Sequence, residues 1–225
     1  MSATENPLID VHCHRLKPVD GIQLLNLELS TFDTESSPPQ RFSTGIHPWH
    51  IDVSTLAQQL AVVEKAAVNP NLLAIGECGL DKAITTPMAL QIEILSAQIA
   101  LAERHRKPLI IHCVKAFNEL LQLKRTLAQS QIWIVHGFNA HPVVADQCLK
   151  AGCYLSFGHA LLRDTSKARA SVLQTPIDRL FLETDDRNDV TIGEIYAAAA
   201  KILALQPYIL QRHIVANFHR VFSHD

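Results

Sequence analysis

The sequence predicts an α/β fold, specifically a distorted TIM (β/α) barrel of parallel strands. Short apolar segments alternate with longer amphipathic ones along the 225 residues, and eight short segments occur in all. Most of the short segments are apolar at nearly every position, which is typical of parallel strands buried on both faces. An open, doubly wound sheet predicts a similar alternation, so the strand pattern alone leaves both architectures open.

The predicted strands are short and are bounded by glycine, proline or charged residues. In chain order they are LIDVHCH (8–14), IQLLNLEL (22–29), RFSTGIH (41–47), LLAIGE (72–77), PLIIHC (108–113), IWIVHG (132–137), CYLSFG (153–158) and DRLFLETD (178–185). Helical patterns lie between most of them and after the last, at about 53–69, 87–106, 116–129, 141–151, 165–174, 191–204 and 207–222. Only the segment Arg15–Gly21 separates the first two strands, so we expect the first crossover helix to be missing.

The composition is ordinary for a single-domain enzyme, which we expect to span residues 1–225. A formal net charge of −2 argues against coating of long nucleic acid by bulk charge, although one strand held in a local pocket remains possible. No apolar stretch is long enough to cross a bilayer, and the N-terminus lacks a signal-like core. Five cysteines without a CxxC pair indicate reduced thiols, so we expect a cytoplasmic protein, monomeric by default and without a membrane partner.

Polar side chains gather where the predicted strands end. They are His12, His14, Glu77, His112, His136 and Asp185. The carboxyl ends of the strands meet on one face of an α/β barrel, and imidazole and carboxylate are good ligands for divalent metals. A single histidine at a strand end is more often structural, but four histidines with two carboxylates are costly to explain as core packing. The set therefore predicts a metal site.

The first of these strands ends in His12, Cys13 and His14, three potential ligands in a row. Successive side chains on a strand point to opposite faces. We therefore expect His12 and His14 to share a face and Cys13 to point away from the metal.

Seven segments together resemble the TatD family of metal-dependent hydrolases, in order and over nearly the whole chain. They are IDVHCH (9–14), TGIHPW (44–49), AIGECGLD (74–81), PLIIHC (108–113), VHGF (135–138), LETD (182–185) and NFHRVF (217–222). The resemblance implies a distorted TIM barrel, two divalent ions (Mg²⁺, Mn²⁺ or Zn²⁺), and phosphodiester hydrolysis, typically as a deoxyribonuclease.

The resemblance also implies roles for the predicted ligands. His12, His14, Glu77 and Asp185 would surround one ion. Glu77, His112 and His136 would hold the second, with Glu77 bridging. Asp185 and Glu77 would be the catalytic carboxylates, Asp185 by orienting and deprotonating the attacking water. The substrate would be a nucleic-acid end or a small phosphate ester.

Further residues are candidates for the rim of this site. We expect substrate contacts from His47, Trp49, Lys82, Lys115 and Arg187, which follow the ends of predicted strands. Each of the five also has an ordinary alternative, as a packed loop residue or a solvated charge. Asp81 is either an acceptor that fixes a ligand imidazole or a helix N-cap.

Departures from the family pattern leave other functions open. The segment after the first motif and the one after LETD are both shorter than is usual in the family, and Val114 stands where an arginine is common. The alternatives are an amidohydrolase-type or ester hydrolase acting on a small molecule or aminoacyl ester, and a non-catalytic protein that retains its metal. Glu77 disfavours the amidohydrolase because that group often bridges its metals with a carboxylated lysine.

Overall fold

The computed structural model describes residues 6–34 and 40–222 of the chain, and these alternate between strands and helices. The strands are β1 (Leu8–Cys13), β2 (Gly21–Asn26), β3 (Phe42–Thr44), β4 (Leu72–Asp81), β5 (Leu109–Val114), β6 (Trp133–Val135), β7 (Tyr154–Phe157) and β8 (Leu180–Leu182). The α-helices are α1 (Leu29–Thr34), α2 (Leu56–Ala67), α3 (Met88–Arg104), α4 (Phe117–Leu127), α5 (Pro142–Lys150), α6 (Lys167–Gln174), α7 (Ile192–Leu203) and α8 (Pro207–Phe222). None of the described helices has the length and apolarity that crossing a membrane requires.

All eight predicted strands and all seven predicted helices are present, and no helix lies between β1 and β2. The missing first crossover helix is therefore confirmed. Several boundaries were wrong. The second predicted strand ends at Asn26 and is followed by the short helix α1, and β4 continues four residues past Glu77. The third and eighth strands are shorter than predicted, at Phe42–Thr44 and Leu180–Leu182. The polar stretch at 36–39 lies outside the described residues.

The extension of β4 depends on Gly79. Its φ of +152° is unfavourable for other residues, and an added Cβ would clash with the backbone carbonyl of His112 on β5. A glycine inside a strand reads as a breaker in sequence, whereas here it lets β4 pass close to β5. Glu77 consequently lies within the strand rather than at its end.

The chain divides into two compact units, of which the first comprises Met1–Leu24 and His136–Asp225. In this unit β7 and β8 pair in parallel, and Cys13 at the end of β1 forms a parallel bridge with Asp185. The hydroxyl of Tyr196 on α7 binds both backbone groups of Ile9 in β1, and the Asn217 amide of α8 donates to the Leu180 carbonyl of β8. The two C-terminal helices thus hold the strands that carry His12 and Asp185.

The second unit comprises Leu25–Val135. Within it β3 pairs in parallel with the end of β2 and with β4, and β5 pairs in parallel with β4 and β6. Apolar side chains of these strands are fully buried, as three consecutive residues of β5 (Leu109, Ile110 and Ile111) show. Burial on both strand faces is the reason that these segments are apolar throughout.

Candidate metal centre

The end of β1 separates its two histidines from the cysteine between them. The imidazoles of His12 and His14 meet edge to face with ring centroids 5.1 Å apart. Cys13 Sγ instead lies 3.6 Å from the backbone carbonyl of Leu24. Burial, and then the neighbouring Asp10 charge, raise the pKa of the Cys13 thiol, so it stays protonated. The candidate ligand groups among the described residues contain no sulfur.

Asp185 is held beside these histidines by its own backbone. Its N–H donates to the carbonyl of His12, and its carbonyl accepts from the N–H of His14, each at 3.0 Å. Asp185 Oδ1 lies 3.5 Å from His12 Nε2 and 3.6 Å from His14 Nε2. The strand bridge therefore aims the carboxylate at both imidazoles.

His136 completes a group of three possible ligands in the first unit. Its ring centroid lies 4.4 Å from that of His12. One ligand atom from each of His12, His136 and Asp185 lies within 4.8 Å of the others. Two imidazoles with one carboxylate suit zinc and other divalent metals, so the donor set fits the metal that the sequence predicts.

Two buried carboxylates support this group, and the sequence reasoning missed both. Asp10 accepts from the N–H and the hydroxyl of Thr184, at 2.9 and 2.6 Å, which fixes the residue before Asp185. Burial raises the pKa of Asp10 to about 6, although the bonds from Thr184 oppose this shift. Glu183 Oε1 accepts from Gly137 N–H at 2.5 Å and lies 3.5 Å from His136 Nδ1. The signal in the sequence was a carboxylate inside an apolar strand.

In the second unit, Glu77 is the centre of another candidate group. Its Oε1 lies 3.1 Å from His47 Nε2 and 2.9 Å from His112 Nδ1. The Asn26 side chain accepts from the Glu77 backbone N–H at 2.9 Å and so fixes this position on β4. His47, Glu77 and His112 each offer a ligand atom within 4.8 Å of the others.

The His112 ring lies between two carboxylates. Its Nδ1 faces Glu77, and its Nε2 is 3.2 Å from Asp81 Oδ2. A neutral imidazole carries only one N–H, so it can donate to only one of these carboxylates. The other nitrogen and its carboxylate then meet as two acceptors, an arrangement that either a second ring proton or a metal ion bound to both groups satisfies. The geometry of His112 thus fits a bound metal.

His47 has a different character, because a local bond fixes its tautomer. The N–H of Trp49 donates to His47 Nδ1 at 3.1 Å, so Nδ1 is an acceptor and the ring proton is on Nε2, facing Glu77. Burial lowers the pKa of His47, which keeps the ring neutral. The same His-Pro arrangement begins α5, where His141 Nδ1 accepts from Val143 N–H. His47 is thus a donor to Glu77 in this tautomer, rather than a ligand.

Asp81 connects His112 to the rim. Its Oδ2 accepts from the indole Nε1 of Trp49 at 2.7 Å, and its Oδ1 accepts from the N–H of Ala83. Asp81 therefore fixes an imidazole, which is one of the two alternatives that the sequence left open. The other, a helix N-cap, is wrong, because Asp81 closes only the turn to Ala83 and the next helix begins later, at Met88. Partial burial alone would raise the pKa of Asp81, but hydrogen bonds from Trp49, Ala83 and His112 lower it, so the carboxyl is ionised. The Trp49 side chain is 61% exposed.

Two buried glutamines on α3 hold this part of the second unit. The Gln91 amide bonds both the N–H and the carbonyl of Asp81, and the Gln98 amide does the same for Ile46, the residue before His47. The sequence reasoning missed both. The feature of the sequence that could have indicated this role is a pair of glutamines seven positions apart on the buried side of an amphipathic helix.

The predicted rim cations are placed differently from one another. Lys82 forms a 2.7 Å ion pair with Glu119, and the Arg187 guanidinium bonds Asp189 through two nitrogens. Lys115 is exposed, with a positive φ of 55°. These three cations therefore lie at the surface. Among the described residues, the predicted ligands form a group around His12 and Asp185 in the first unit and a group around Glu77 in the second.

Comparison with known proteins places the chain in a family. The sequence model of the TatD related DNase family matches residues 27–223, and the chain belongs to this family. In Bacillus subtilis strain 168, a protein named the uncharacterized metal-dependent hydrolase YabD is 34% identical over 142 residues, 61% of this chain and 56% of that protein. The protein named 3'-5' ssDNA/RNA exonuclease TatD in Musicola paradisiaca is 35% identical over 157 residues, 67% of this chain and 59% of that protein. The matched stretch thus spans less than two thirds of these relatives.

A solved structure confirms the predicted fold class. The crystal structure of YjjV, a TatD homologue from Escherichia coli K12, superposes with a TM-score of 0.78 at 21% identity. The match covers 97% of this chain and 98% of that one. The chain therefore has the α/β TIM-barrel fold that the alternating strands and helices predict.

Proposed function

We propose that this chain is a metal-dependent phosphodiesterase that hydrolyses the ends of single-stranded nucleic acid, most simply as a deoxyribonuclease. The observation that carries the proposal is the group of His12, His136 and Asp185, whose imidazole and carboxylate ligand atoms lie within 4.8 Å of one another. Family membership and the nuclease names of relatives such as the Musicola paradisiaca protein support the same reaction class.

We propose that the chain would bind two divalent ions, Mg²⁺, Mn²⁺ or Zn²⁺. In the first unit His12, His14, His136 and Asp185 supply the donors, and in the second unit Glu77 and His112 do. That Glu77 bridges two ions is an expectation from the family resemblance. Such ions would acidify water and neutralise charge on the phosphoryl oxygens.

The residues of the chain would then position the reactants. Asp185, whose backbone is fixed on both sides by β1, would accept the proton of the attacking water. Glu77 would keep its place on β4 through the bond of its backbone N–H to the Asn26 side chain. Asp81 would hold the His112 ring so that Nδ1 remains directed at Glu77.

Substrate contacts would come from the rim. The exposed ring of Trp49, held by Asp81, presents a rigid face on which any nucleobase can stack. His47 would contact the phosphate if it turned from Glu77. Three cations, Lys82, Lys115 and Arg187, would add positive charge near the phosphates. Lys82 would first have to leave Glu119, and Arg187 would have to leave Asp189.

We propose a single domain over residues 1–225 and a reducing, cytoplasmic setting. The odd number of cysteines, five, and the lack of a CxxC pair support the reducing setting. One cooperative thermal transition, followed by circular dichroism and calorimetry, would support the single domain, and two separate transitions would contradict it.

The decisive experiment is a cleavage assay with end-labelled single-stranded DNA and RNA of the same sequence. The wild-type protein in Mg²⁺ or Mn²⁺ should shorten the DNA, and EDTA should abolish this. Replacement of the proposed general base, Asp185→Asn, should lower the rate at least about 100-fold. Lys150→Met is the matched control, because Lys150 is a solvated lysine paired with Asp146 on α5.

The outcomes separate the alternatives. Cleavage that Asp185→Asn leaves unchanged would indicate a contaminating nuclease and contradict the proposal. Hydrolysis of bis(p-nitrophenyl) phosphate without nucleic-acid cleavage would retain the chemistry and change the substrate. Activity on an aminoacyl or other carboxylic ester alone would favour the ester hydrolase, and metal binding without any hydrolysis would favour a binding protein.

A further inference from the structure

The segment between β1 and β2 contains no helix, yet a side chain fixes it. The Gln23 amide bonds both backbone groups of Lys17: Lys17 N–H donates to Gln23 Oε1 at 2.8 Å, and Gln23 Nε2 donates to the Lys17 carbonyl at 2.7 Å. Both residues lie in the first unit, and Gln23 belongs to strand β2. The backbone of Lys17 is therefore anchored to the sheet.

From this anchored position the Lys17 ammonium reaches the segment that follows Asp185. Its Nζ donates to the carbonyl of Arg187 at 2.5 Å and to that of Val190 at 2.6 Å. The contacts are partly buried, and ammonium bonds to carbonyls are stronger than neutral ones. Lys17 thus connects the segment between β1 and β2 to the loop that follows Asp185.

The loop that Lys17 binds begins with an uncommon backbone conformation. Asp185 has a φ of +57°, in the left-handed region that few non-glycine residues adopt. Bonds inside the loop are local: Arg187 N–H donates to the Thr184 carbonyl, and the Arg187 side chain bonds Asp189. Lys17 connects this loop to β2 instead, so its loss would free residues 186–190 to move.

We propose that Lys17 is a positioning residue that locks the loop 186–190 and thereby keeps the Asp185 carboxylate directed at His12 and His14. The segment between β1 and β2 and the segment after Asp185 are both short compared with the family pattern. The Lys17 side chain joins them. The lock rests only on contacts in the first unit. Its effect on metal binding rests on the proposed function.

The test combines amide hydrogen exchange of metal-free protein with Mn²⁺ titration by calorimetry. Lys17→Met, which keeps chain length and removes the donors, should speed exchange of the amides at 186–190 at least about tenfold and weaken Mn²⁺ binding about tenfold. Lys17→Arg, which keeps donors, should restore most of both properties. Lys150→Met should match the wild type in both measurements, because Lys150 is an exposed lysine on α5 whose ion pair is with the exposed Asp146.

Two results would overturn the proposal. One is exchange at 186–190 that is unchanged in Lys17→Met, or raised equally throughout the protein, which would show a general loss of stability. The other is faster loop exchange with unchanged Mn²⁺ affinity, which would show that the lock does not position Asp185. A wild-type protein that binds no Mn²⁺ would contradict the proposed function, while the exchange data would still decide the lock.

A second variant covers the case in which Lys17→Met fails to fold. Gln23→Leu leaves the ammonium in place but removes both anchors of the Lys17 backbone. It should give the same pattern of faster exchange at 186–190 and weaker Mn²⁺ binding, to a smaller extent. Wild-type behaviour in both measurements would overturn the proposal.

Discussion

The indole Nε1 of Trp49 donates a 2.7 Å hydrogen bond to Oδ2 of Asp81, and the same oxygen lies 3.2 Å from Nε2 of His112. One carboxylate oxygen therefore joins an exposed aromatic ring to a proposed metal ligand. A nucleobase stacked on Trp49 would contact a group whose position is tied to that of His112. Under the proposed function, Asp81 would therefore connect substrate binding with metal binding in the second unit.

Asp81→Asn should weaken metal binding, because the amide loses the charge that orients His112. Outer partners of metal-binding histidines typically contribute about 10–100-fold in affinity, and we expect a loss in that range for Mn²⁺ by calorimetry. Trp49→Phe, which removes the indole donor and leaves the Asp81–His112 contact, is the control and should bind Mn²⁺ nearly as the wild type does. Wild-type affinity in Asp81→Asn would contradict the assigned role of Asp81.

Trp49→Ala should weaken substrate binding with little effect on the chemical step. Stacking of one base on an aromatic ring contributes about 1–3 kcal/mol, so KM for a short single-stranded DNA should rise about tenfold while kcat changes less than about twofold. Trp49→Phe, which retains a stacking face, should keep most of the affinity. A fall in kcat at unchanged KM would instead indicate a role in the chemical step.

Cys13→Ala should leave the metal content unchanged, since Sγ faces the Leu24 carbonyl rather than the imidazoles. Elemental analysis of purified protein should give the same metal content for Cys13→Ala and the wild type, and a lower content for His14→Ala. Removing one buried atom should cost about 1 kcal/mol in the free energy of unfolding. Loss of metal in Cys13→Ala alone would show that the sulfur is a ligand.

Asp10→Asn should change how stability depends on pH in EDTA. The pKa of Asp10 is about 6 in the folded protein against an ordinary 3.8, so the folded state binds the proton more tightly. Its contribution to stability is present below about pH 3.8 and is lost as pH rises through about 6. Relative to Asp10→Asn, the wild type should lose up to about 3 kcal/mol over this range, measured by urea unfolding.

EDTA is needed in this comparison because a bound dication close to Asp10 would favour its ionised form. A constant difference in unfolding free energy between the two proteins from pH 4 to pH 7 would contradict the assignment of the raised pKa to burial. Lys150→Met serves again as the control, since it should follow the wild-type curve over the same pH range.

Prediction from sequence worked best where a local pattern has only one structural solution. Apolar runs of strand length predicted all eight strands, and the alternation of side chains placed His12 and His14 together with Cys13 turned away. The end of β4 was predicted wrongly. Gly79 is accommodated inside the strand because β4 passes close to the His112 carbonyl on β5, where a side chain would clash. Nothing near Gly79 in the sequence reports that neighbour.

The identity of the candidate ligands, their order along the chain and the α/β class were determined by the sequence, since each follows from short-range periodicity and residue type. Tertiary structure alone decided what holds those ligands. Asn26 binds Glu77 across 51 positions of the chain, Thr184 meets Asp10 across 174, and Lys17 reaches Val190 across 173. Such partners are common polar residues whose sequence neighbours show no special pattern. Their roles arise because folding places one donor within about 3 Å of one distant acceptor, and the energy of that bond depends on the distance rather than on separation along the chain.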